Sequence, residues 1–355
     1  MRIQTALTRL VGIEHPVVQT GMGWVAGARL VSATANAGGL GILAAATMTI
    51  DELAVAIAKV KSTTDRPFGV NIRADAADAG DRVELMIREG VKVASFALAP
   101  NQELIARLKE AGSVVIPSIG AAKHARKVAA WGADAVIVQG GEGGGHTGPV
   151  ATTLLLPSVL DALDGTDVAV VAAGGFFDGR GLAAALSYGA AGVAMGTRFL
   201  LTSDSTVPDA VKQRYLEASL DGTVVSTRVD GMPHRVLRTG LVEKLESGSP
   251  IRGFTAAVVN AAKFKKMSQM TWSSMIRDGL AMRHGKDLTW SQVIMAANTP
   301  MLLKAGLVDG NNEAGVLASG QVTGIIDDLP SCAELIQGIV SEAIKHLEAA
   351  NSLIE

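Results

Sequence analysis

Eight short apolar runs recur along the first 200 residues, and segments with helical spacing separate them. The runs fall at 15–23, 40–47, 67–73, 91–99, 113–120, 133–140, 168–175 and 190–197. Each is apolar almost without interruption, which is typical of parallel strands buried on both faces. The intervening segments, such as DELAVAIAKVKS and NQELIARLKEAG, often end in glycine, a common helix stop. We therefore predict an α/β fold in which eight strand–helix units close into a (β/α)8 TIM barrel, with a doubly wound sheet as the alternative.

The strand–helix alternation stops after about residue 221 and the barrel pattern returns near residue 314. The stretch 222–313 is expected to be mostly helical, whereas 314–355 carries GVLASGQVTGIIDD and an amphipathic helix. We therefore expect a barrel formed by 1–221 and 314–355, with an inserted helical substrate-binding or lid domain at 222–313.

Composition narrows the class of protein. The chain is 48% hydrophobic and 19% charged, which favours a sizeable core, and its net charge of −2 argues against nucleic-acid binding. A single cysteine, Cys332, excludes an internal disulfide framework and favours a cytoplasmic location. The sequence shows no signal-peptide core and no run of eighteen apolar residues, so no membrane association is expected. A homodimer is one of the open alternatives for its assembly.

Glycines, amides and a hydroxyl mark the ends of five predicted strands, which is where barrel enzymes place their chemistry. The loops after the last two strands commonly bind phosphate through backbone N–H groups, and no P-loop motif is present. Small residues after the first strand leave room for a flat ring, and amides suit its heteroatoms. Tight turns are the alternative role for the glycines. We predict a site for flavin mononucleotide (FMN) formed by Gly21, Met22, Gly23, Asn71, Gln139, Gly174, Gly175, Gly196 and Thr197.

Seven motifs, in order, resemble those of the nitronate monooxygenase family. They are HPVVQTGMG, AGGLGIL, FGVNI, DAVIVQGGEGGGHTG, VVAAGGFFDGRG, AAGVAMGTRFL and SGQVTGIIDDLPS, and they cover about residues 10–200 and 314–345. The resemblance implies an FMN-dependent barrel oxidoreductase. It says less about the substrate, because the family also includes quinone reductases and a flavin enoyl-reductase branch.

The stretch GGEGGGHTGP, residues 140–149, places six glycines around His146. The resemblance implies that His146 is the catalytic histidine, and a neutral imidazole can accept a proton at about pH 7. The glycines, including Gly145, are then expected to let the loop approach the flavin edge.

Two further residues, Glu142 and Gln321, and a possible metal ion complete the expected site. Glu142 is expected to face solvent, with orientation of His146 as the alternative. Gln321 matches a family position near the flavin, with a turn as the equal alternative. No metal is expected, because no other ligand shares the spacing of His146.

The predicted insertion is basic and rich in methionine. It contains twelve Lys and Arg against seven Asp and Glu, and seven of the twelve methionines of the chain. A basic, apolar insertion above a barrel mouth suggests a bulky substrate on an anionic handle, such as an acyl-CoA thioester, although a helical core with a solvated basic face is the simpler alternative. The expected contacts to that handle are Arg235, Arg238, Lys263, Lys265 and Lys266.

Longer stretches, among them KKMSQMTWSSMIRDGLAMRHGKDLTW, are similar to an actinobacterial branch of the family. That branch acts on hydroxylated indanone acyl-CoA thioesters in steroid and cholesterol ring breakdown. The implied reaction is oxidation of the substrate, with His146 as base and hydride transfer to FMN. The alternatives are a nitronate monooxygenase, an NAD(P)H:quinone or enoyl reductase, and a non-catalytic flavin-binding module.

Overall fold

Eight parallel strands form a closed barrel in the computed structural model of the chain, which describes residues 2–97, 101–247, 290–311 and 315–354. Each predicted apolar run contains one of these strands, and the last strand pairs with the first to close the barrel. The barrel strands are β1 (Val17–Gln19), β2 (Leu40–Ala44), β3 (Gly69–Arg73), β4 (Val93–Ala97), β5 (Val114–Ile119), β6 (Ala135–Gln139), β8 (Ala169–Ala173) and β9 (Gly192–Met195). A two-residue strand, β7 (Gly145–His146), lies outside the barrel. The predicted (β/α)8 architecture is confirmed.

The described residues form thirteen α-helices. They are α1 (Ala6–Val11), α2 (Ala28–Asn36), α3 (Ile50–Lys61), α4 (Ala79–Arg88), α5 (Gln102–Glu110), α6 (Ala122–Ala130), α7 (Thr152–Ala162), α8 (Gly179–Tyr188), α9 (Thr197–Leu200), α10 (Asp209–Leu216), α11 (Gly240–Ser247), α12 (Trp290–Leu307) and α13 (Cys332–Asn351). Helix α1 precedes the first strand, most of the helices that follow barrel strands cover the outside of the barrel, and α9 to α12 belong to the long connection after β9. Capping boxes fix the starts of three helices, Thr5 with Thr8 at α1, Thr49 with Glu52 at α3 and Ser331 with Glu334 at α13. Helix α13 packs against α8 and α2 and so completes the ring.

The barrel interior is an apolar core that is closed at one end by α1. Leu40, Ile42 and Val171 are fully buried inside the barrel, and Leu7 and Val11 of α1 join the same cluster. Full burial of one such side chain contributes roughly 1.5–3 kcal/mol, so this cluster stabilises the strand ends opposite the predicted site. The carboxyl ends of the strands lie at the other end of the barrel and are available to form that site.

The connection between β9 and α13 is the longest in the described chain and leaves from the carboxyl end of the barrel. It contains α9 to α12, the strands β10 (Thr223–Ser226) and β11 (His234–Leu237), and a 3-10 helix, Gln321–Ile325. Residues 223–237, near the start of the expected insertion, form a β-hairpin, and its strands carry β-branched residues that favour sheet. The division into a barrel and an inserted domain stays a prediction. In the described residues, no helix is both long and apolar enough to cross a membrane.

Candidate active site

The glycine-rich loop after β6 is packed tightly against its own surroundings. A Cβ on Gly143 would come within 2.6 Å of the Gln139 amide, and one on Gly144 within 2.5 Å of the Gly320 nitrogen. A Cβ on Gly140 would overlap the Thr152 hydroxyl at 2.0 Å. Glycine is therefore required at these three positions because other protein atoms lie against the backbone. Gly145 differs: it has φ +72° and open space around it.

Side chains from the loop and from its borders hold this backbone in place. The Gln139 amide donates to the carbonyl of His146 at 2.8 Å, and the Thr147 hydroxyl donates to that of Gly140 at 3.1 Å. The Glu142 carboxylate accepts from the backbone N–H and the hydroxyl of Thr152, at 3.0 and 2.8 Å. The expectation that Glu142 faces solvent is wrong, because its charge binds the first residue of α7, where the helix N-terminus favours an anion.

The hairpin of the insertion adds two strands to this loop. β11 pairs antiparallel with β7, and the pairs are His234 with His146 and Arg235 with Gly145. β10 pairs with the other edge of β11, which gives a three-stranded sheet in the order β10-β11-β7. The insertion and the histidine loop are therefore one hydrogen-bonded unit.

His146 forms a hydrogen-bonded cluster with two residues of the hairpin. Its Nε2 lies 2.6 Å from Oδ2 of Asp230, and Nδ1 of His234 lies 3.1 Å from the same oxygen. The side chain of His146 is 37% exposed, whereas those of Asp230 and His234 are each 3% exposed. The two imidazole rings are tilted, with centroids 4.7 Å apart. An exposed imidazole therefore rests on a buried carboxylate.

Asp230 is kept ionised by this arrangement. Burial alone would raise the pKa of its carboxyl, but hydrogen bonds from His146 and His234 outweigh burial and hold the pKa well below its usual value. The other oxygen, Oδ1, accepts from the backbone N–H of Met232 at 3.1 Å. The cluster thus supplies a fixed negative charge directly behind His146.

The same three residues could each offer a ligand atom to a metal ion. The reason given above for expecting no metal is therefore wrong, because folding brings two further ligand types to His146. The separation of 2.6 Å between Nε2 and Oδ2 is nevertheless that of a hydrogen bond. Two ligands of one tetrahedral zinc ion, each about 2.0–2.1 Å from it, lie about 3.3 Å apart. The geometry favours a proton between these atoms, and absence of a metal stays a prediction.

The glycines predicted to bind FMN lie at the mouth of the barrel, where neighbouring strand ends nearly touch. A Cβ on Gly21 would lie 2.5 Å from Cβ of Asn71, and one on Gly196 would lie 3.4 Å from Sδ of Met22. A Cβ on Gly23 would meet Thr47, just after β2, at 2.9 Å. The ends of β1, β2, β3 and β9 are thus brought together, as expected for one shared site.

The two predicted phosphate loops have the backbone that such a site requires. Gly174 and Gly175 follow β8 with φ +90° and +86°, a conformation that L side chains rarely adopt. Gly196 precedes α9, and the hydroxyl of Thr197 accepts from the backbone N–H of Gly320 at 2.9 Å. The backbone N–H of Gln321 donates to the carbonyl of Glu142 at 3.0 Å. The segment 319–321 therefore links the end of β9 to the histidine loop.

The residues predicted to bind an anionic handle separate into three cases. Arg235 is half-buried and donates through Nε and Nη2 to the carbonyl of Gly141 and through Nη1 to Thr223, so its guanidinium supports the loop. Arg238 is exposed and lines a groove of about 860 Å³ together with Arg214 and Lys244. Lys263, Lys265 and Lys266 lie outside the described residues.

Sequence reasoning missed three candidate functional residues, Asp230 and His234 of the hairpin and Trp24. The Asp230-Gly231 dipeptide after the β-branched run 223–226 was an available turn signal. Trp24 gave no such signal, and it has φ +66° in the loop after β1. Its indole Nε1 donates to the carbonyl of Pro300 in α12 at 2.9 Å. A strained tryptophan at a barrel mouth, bound to the insertion, is a candidate wall of the substrate cavity.

Several known proteins are similar to this chain. The chain matches the family model described as nitronate monooxygenase over residues 4–342. It is 84% identical over 355 residues, the full length of both chains, to the "(3aS,4S,5R,7aS)-5-hydroxy-7a-methyl-1-oxo-octahydro-1H-indene-4-carboxyl-CoA dehydrogenase" of Mycobacterium tuberculosis. It is 72% identical over 351 residues, 99% of each chain, to the Rhodococcus jostii protein of the same name. Among solved structures, FabK from Thermotoga maritima is similar, with a TM-score of 0.80, 34% identity, and coverage of 99% of this chain and 100% of that chain.

Proposed function

Because the chain belongs to the nitronate monooxygenase family, as its motifs indicated, we propose that it is an FMN-dependent dehydrogenase of a hydroxylated, indanone-type acyl-CoA thioester. The chain is an oxidoreductase, and the family and its structural neighbours are flavoproteins. The observation that carries the proposal is His146 at the barrel mouth, exposed on one side and hydrogen-bonded on the other to the buried Asp230. The names of the relatives at 84% and 72% identity support the substrate class.

The residues at the mouth fit a flavin mononucleotide. The left-handed backbone of Gly174 and Gly175 and the N-terminus of α9 at Thr197 would hold the phosphate, since both present backbone N–H groups at strand ends. Gly21, Gly23 and Asn71 would border the ring, because no side chain fits between these strand ends. When bound, the flavin supplies a hydride acceptor.

The chain's own residues would manage the proton of the alcohol. His146 accepts the hydroxyl proton while the carbinol C–H bond breaks and its electron pair leaves as hydride, so that a C=O bond forms. The Asp230 carboxylate stabilises the positive charge that then develops on the imidazole. The Gln139 amide, bonded to the carbonyl of His146, keeps this part of the loop at the end of β6.

The groove is lined by three basic residues, Arg214, Arg238 and Lys244, and one acidic residue, Glu217. This excess of positive charge supports an anionic handle on the substrate. Arg238 follows His234 by four residues along an extended strand, a span of about 13 Å. Since His234 pairs with His146, the groove lies at a distance from the base that a pantetheine arm can span. We therefore keep Arg238 as a candidate contact to the phosphates and assign Arg235 to the loop.

Nitronate oxidation is the second candidate, because the matching family model carries that description. A histidine base at a flavin site can also accept a proton from a carbon acid, so His146 does not distinguish the two reactions. A nitronate would not need the basic groove for binding, however, and the presence of this groove therefore favours the acyl-CoA substrate.

Anaerobic mixing of the purified flavoprotein with candidate substrates tests the proposal. We expect the hydroxylated indanone acyl-CoA thioester to bleach the flavin absorbance in a single turnover and a ketone to form. Propyl-2-nitronate and an NADH-plus-enoyl-thioester mixture are offered in parallel. Bleaching by the nitronate without bleaching by the thioester would overturn the proposal in favour of a nitronate monooxygenase.

A further inference from the structure

The hairpin of the insertion supplies the residues that orient the base. We propose that Asp230 and His234 are positioning residues for His146: Asp230 accepts a hydrogen bond from Nε2–H, which leaves Nδ1 as the atom that takes the substrate proton, and His234 fixes Asp230. The inference rests on His146 as the base of the proposed function.

The contacts of Asp230 fix its orientation completely. Oδ2 lies 2.6 Å from Nε2 of His146 and 3.1 Å from Nδ1 of His234, and Oδ1 accepts from the N–H of Met232 at 3.1 Å. A buried carboxylate needs such donors, because an unpaired buried charge is costly. Because three donors bind its two oxygens, the carboxylate has one orientation, in which Oδ2 faces His146.

The hydrogen bond selects the tautomer of His146. An ionised carboxylate only accepts hydrogen bonds, so a neutral imidazole beside it must carry its proton on the nitrogen that faces it. That nitrogen is Nε2, and the lone pair therefore lies on Nδ1. Asp230 is buried and the His146 side chain is 37% exposed, so Nδ1 is the nitrogen left for the substrate.

His234 acts from behind the carboxylate. It is 2% exposed, and its Nε2 has no hydrogen-bond partner among the described residues. The ring therefore has a single polar contact, that with Asp230, and keeping a buried imidazole for one hydrogen bond costs desolvation. An apolar side chain would fill this space without that desolvation cost, which indicates that the hydrogen bond from His234 to Asp230 is needed.

Strand pairing delivers this arrangement to the loop. Asp230 lies in the turn of the β10–β11 hairpin, and the pairing of His234 with His146 sets its position relative to the base. Among the described residues, the titratable and charged groups near His146 are Asp230 and His234, with Arg235 on the same strand as His234 and Glu142 in the glycine-rich loop. Only Asp230 is bonded to the imidazole of His146 among the contacts described.

Histidine-selective ¹⁵N NMR of the flavin-loaded protein tests the tautomer without any substrate. We expect His146, assigned from the signal missing in His146→Gln, to show protonated Nε2 and unprotonated Nδ1 in the neutral form. In Asp230→Asn this preference should be lost, because an amide can donate as well as accept. An unchanged tautomer in Asp230→Asn overturns the proposal, even if the wild-type protein oxidises the thioester.

Flavin-reduction kinetics test the role of the two residues. Asp230→Asn should lower the rate of flavin reduction by about 10- to 100-fold, less than loss of the base itself, with a smaller effect on KM for the thioester. The variant lacks the carboxylate charge that stabilises the imidazolium formed in the chemical step. A wild-type rate of flavin reduction, in a folded variant with full flavin, contradicts the inference.

The His234 variants keep the test valid where Asp230→Asn does not fold. Asn can place an amide N–H where Nδ1 of His234 stands, whereas Leu cannot donate. We therefore expect His234→Asn to retain more activity than His234→Leu, with the exposed His124→Leu as the matched control. Equal losses in the two His234 variants would overturn the role of His234. A tautomer fixed by Asp230 in a protein that oxidises no acyl-CoA would instead overturn the proposed function alone.

Discussion

His146 and His234 are cross-strand partners, although 87 residues separate them along the chain. Their backbones meet in the pairing of β7 with β11, and their side chains meet at Oδ2 of Asp230. The position of the proposed base is therefore set by the hairpin as well as by the barrel. A change in the hairpin should affect the chemical step without touching the flavin site.

Replacement of His146 tests the base directly. His146→Ala should lower the rate of flavin reduction by about 10²- to 10⁴-fold, the usual contribution of a positioned acid or base. His146→Gln should lose a similar factor, although its amide N–H can replace Nε2 as donor to Asp230. Stopped-flow bleaching under anaerobic conditions measures both rates.

Flavin content and melting temperature serve as controls for these two variants. His146 is the most exposed member of its cluster, so we expect both quantities to stay close to wild type, most of all in His146→Gln. A wild-type rate of flavin reduction in His146→Gln would leave His146 with a structural role only.

The phosphate loop is tested at Gly175. Gly175→Asp should give colourless protein, because its carboxylate would repel the phosphate and occupy its space. Gly165→Asp is the matched control: Gly165 has a similar φ, +73° against +86°, but lies exposed in a turn with nothing within 4 Å of its Cβ. Flavin released by denaturation and identified by chromatography should be FMN, and stoichiometric FAD would contradict this expectation. Loss of flavin in both variants would indicate backbone strain rather than a phosphate site.

The barrel could be predicted because each strand is an almost unbroken apolar run. The run 133–140, for example, contains β6, and the first four residues of β6, Ala135 to Val138, are buried. The strand-end positions of Gln139, Gly174 and Gly196 then follow from the rule that parallel strands end at one face, whereas Asn71 lies in the middle of β3. Local sequence was sufficient for these residues because the barrel repeats one local unit.

The partners of His146 could not be predicted in the same way. Asp230 reaches the histidine only because β11 pairs with a strand of two residues, and such a short strand has no periodicity to read. Glu142 and Arg235 were misplaced for a related reason. The charge of Glu142 suggested a position facing solvent, and that of Arg235 suggested a contact to the ligand. Each instead forms hydrogen bonds with backbone groups of the histidine loop or its borders.

Asp230 should also make stability depend on pH in the acid range. Its pKa is lowered in the folded protein from an ordinary value of 3.8, so the stabilisation is full above about pH 4 and is lost as the pH falls below it. Asp230→Asn should reduce the free energy of unfolding at pH 7, and the difference from wild type should shrink between about pH 4 and pH 2. Denaturant titrations at several pH values measure this difference. A gap that is constant down to pH 2 would contradict the assigned role of the charge.

Arg238 and Arg235 should behave oppositely when truncated, although only two residues lie between them on one chain segment. Arg238→Ala removes a charge from the groove shared with Arg214 and Lys244, so we expect KM for the thioester to rise about tenfold, with a smaller effect on kcat. Arg235→Ala removes the support of Gly141, so kcat should fall more than KM rises. Arg126→Ala, which removes an exposed charge on α6, is the control. Added salt should raise KM for the thioester in wild type and in this control alike. If Arg214, Arg238 and Lys244 can all be neutralised without changing KM, the groove binds no phosphate and nitronate oxidation becomes the better assignment.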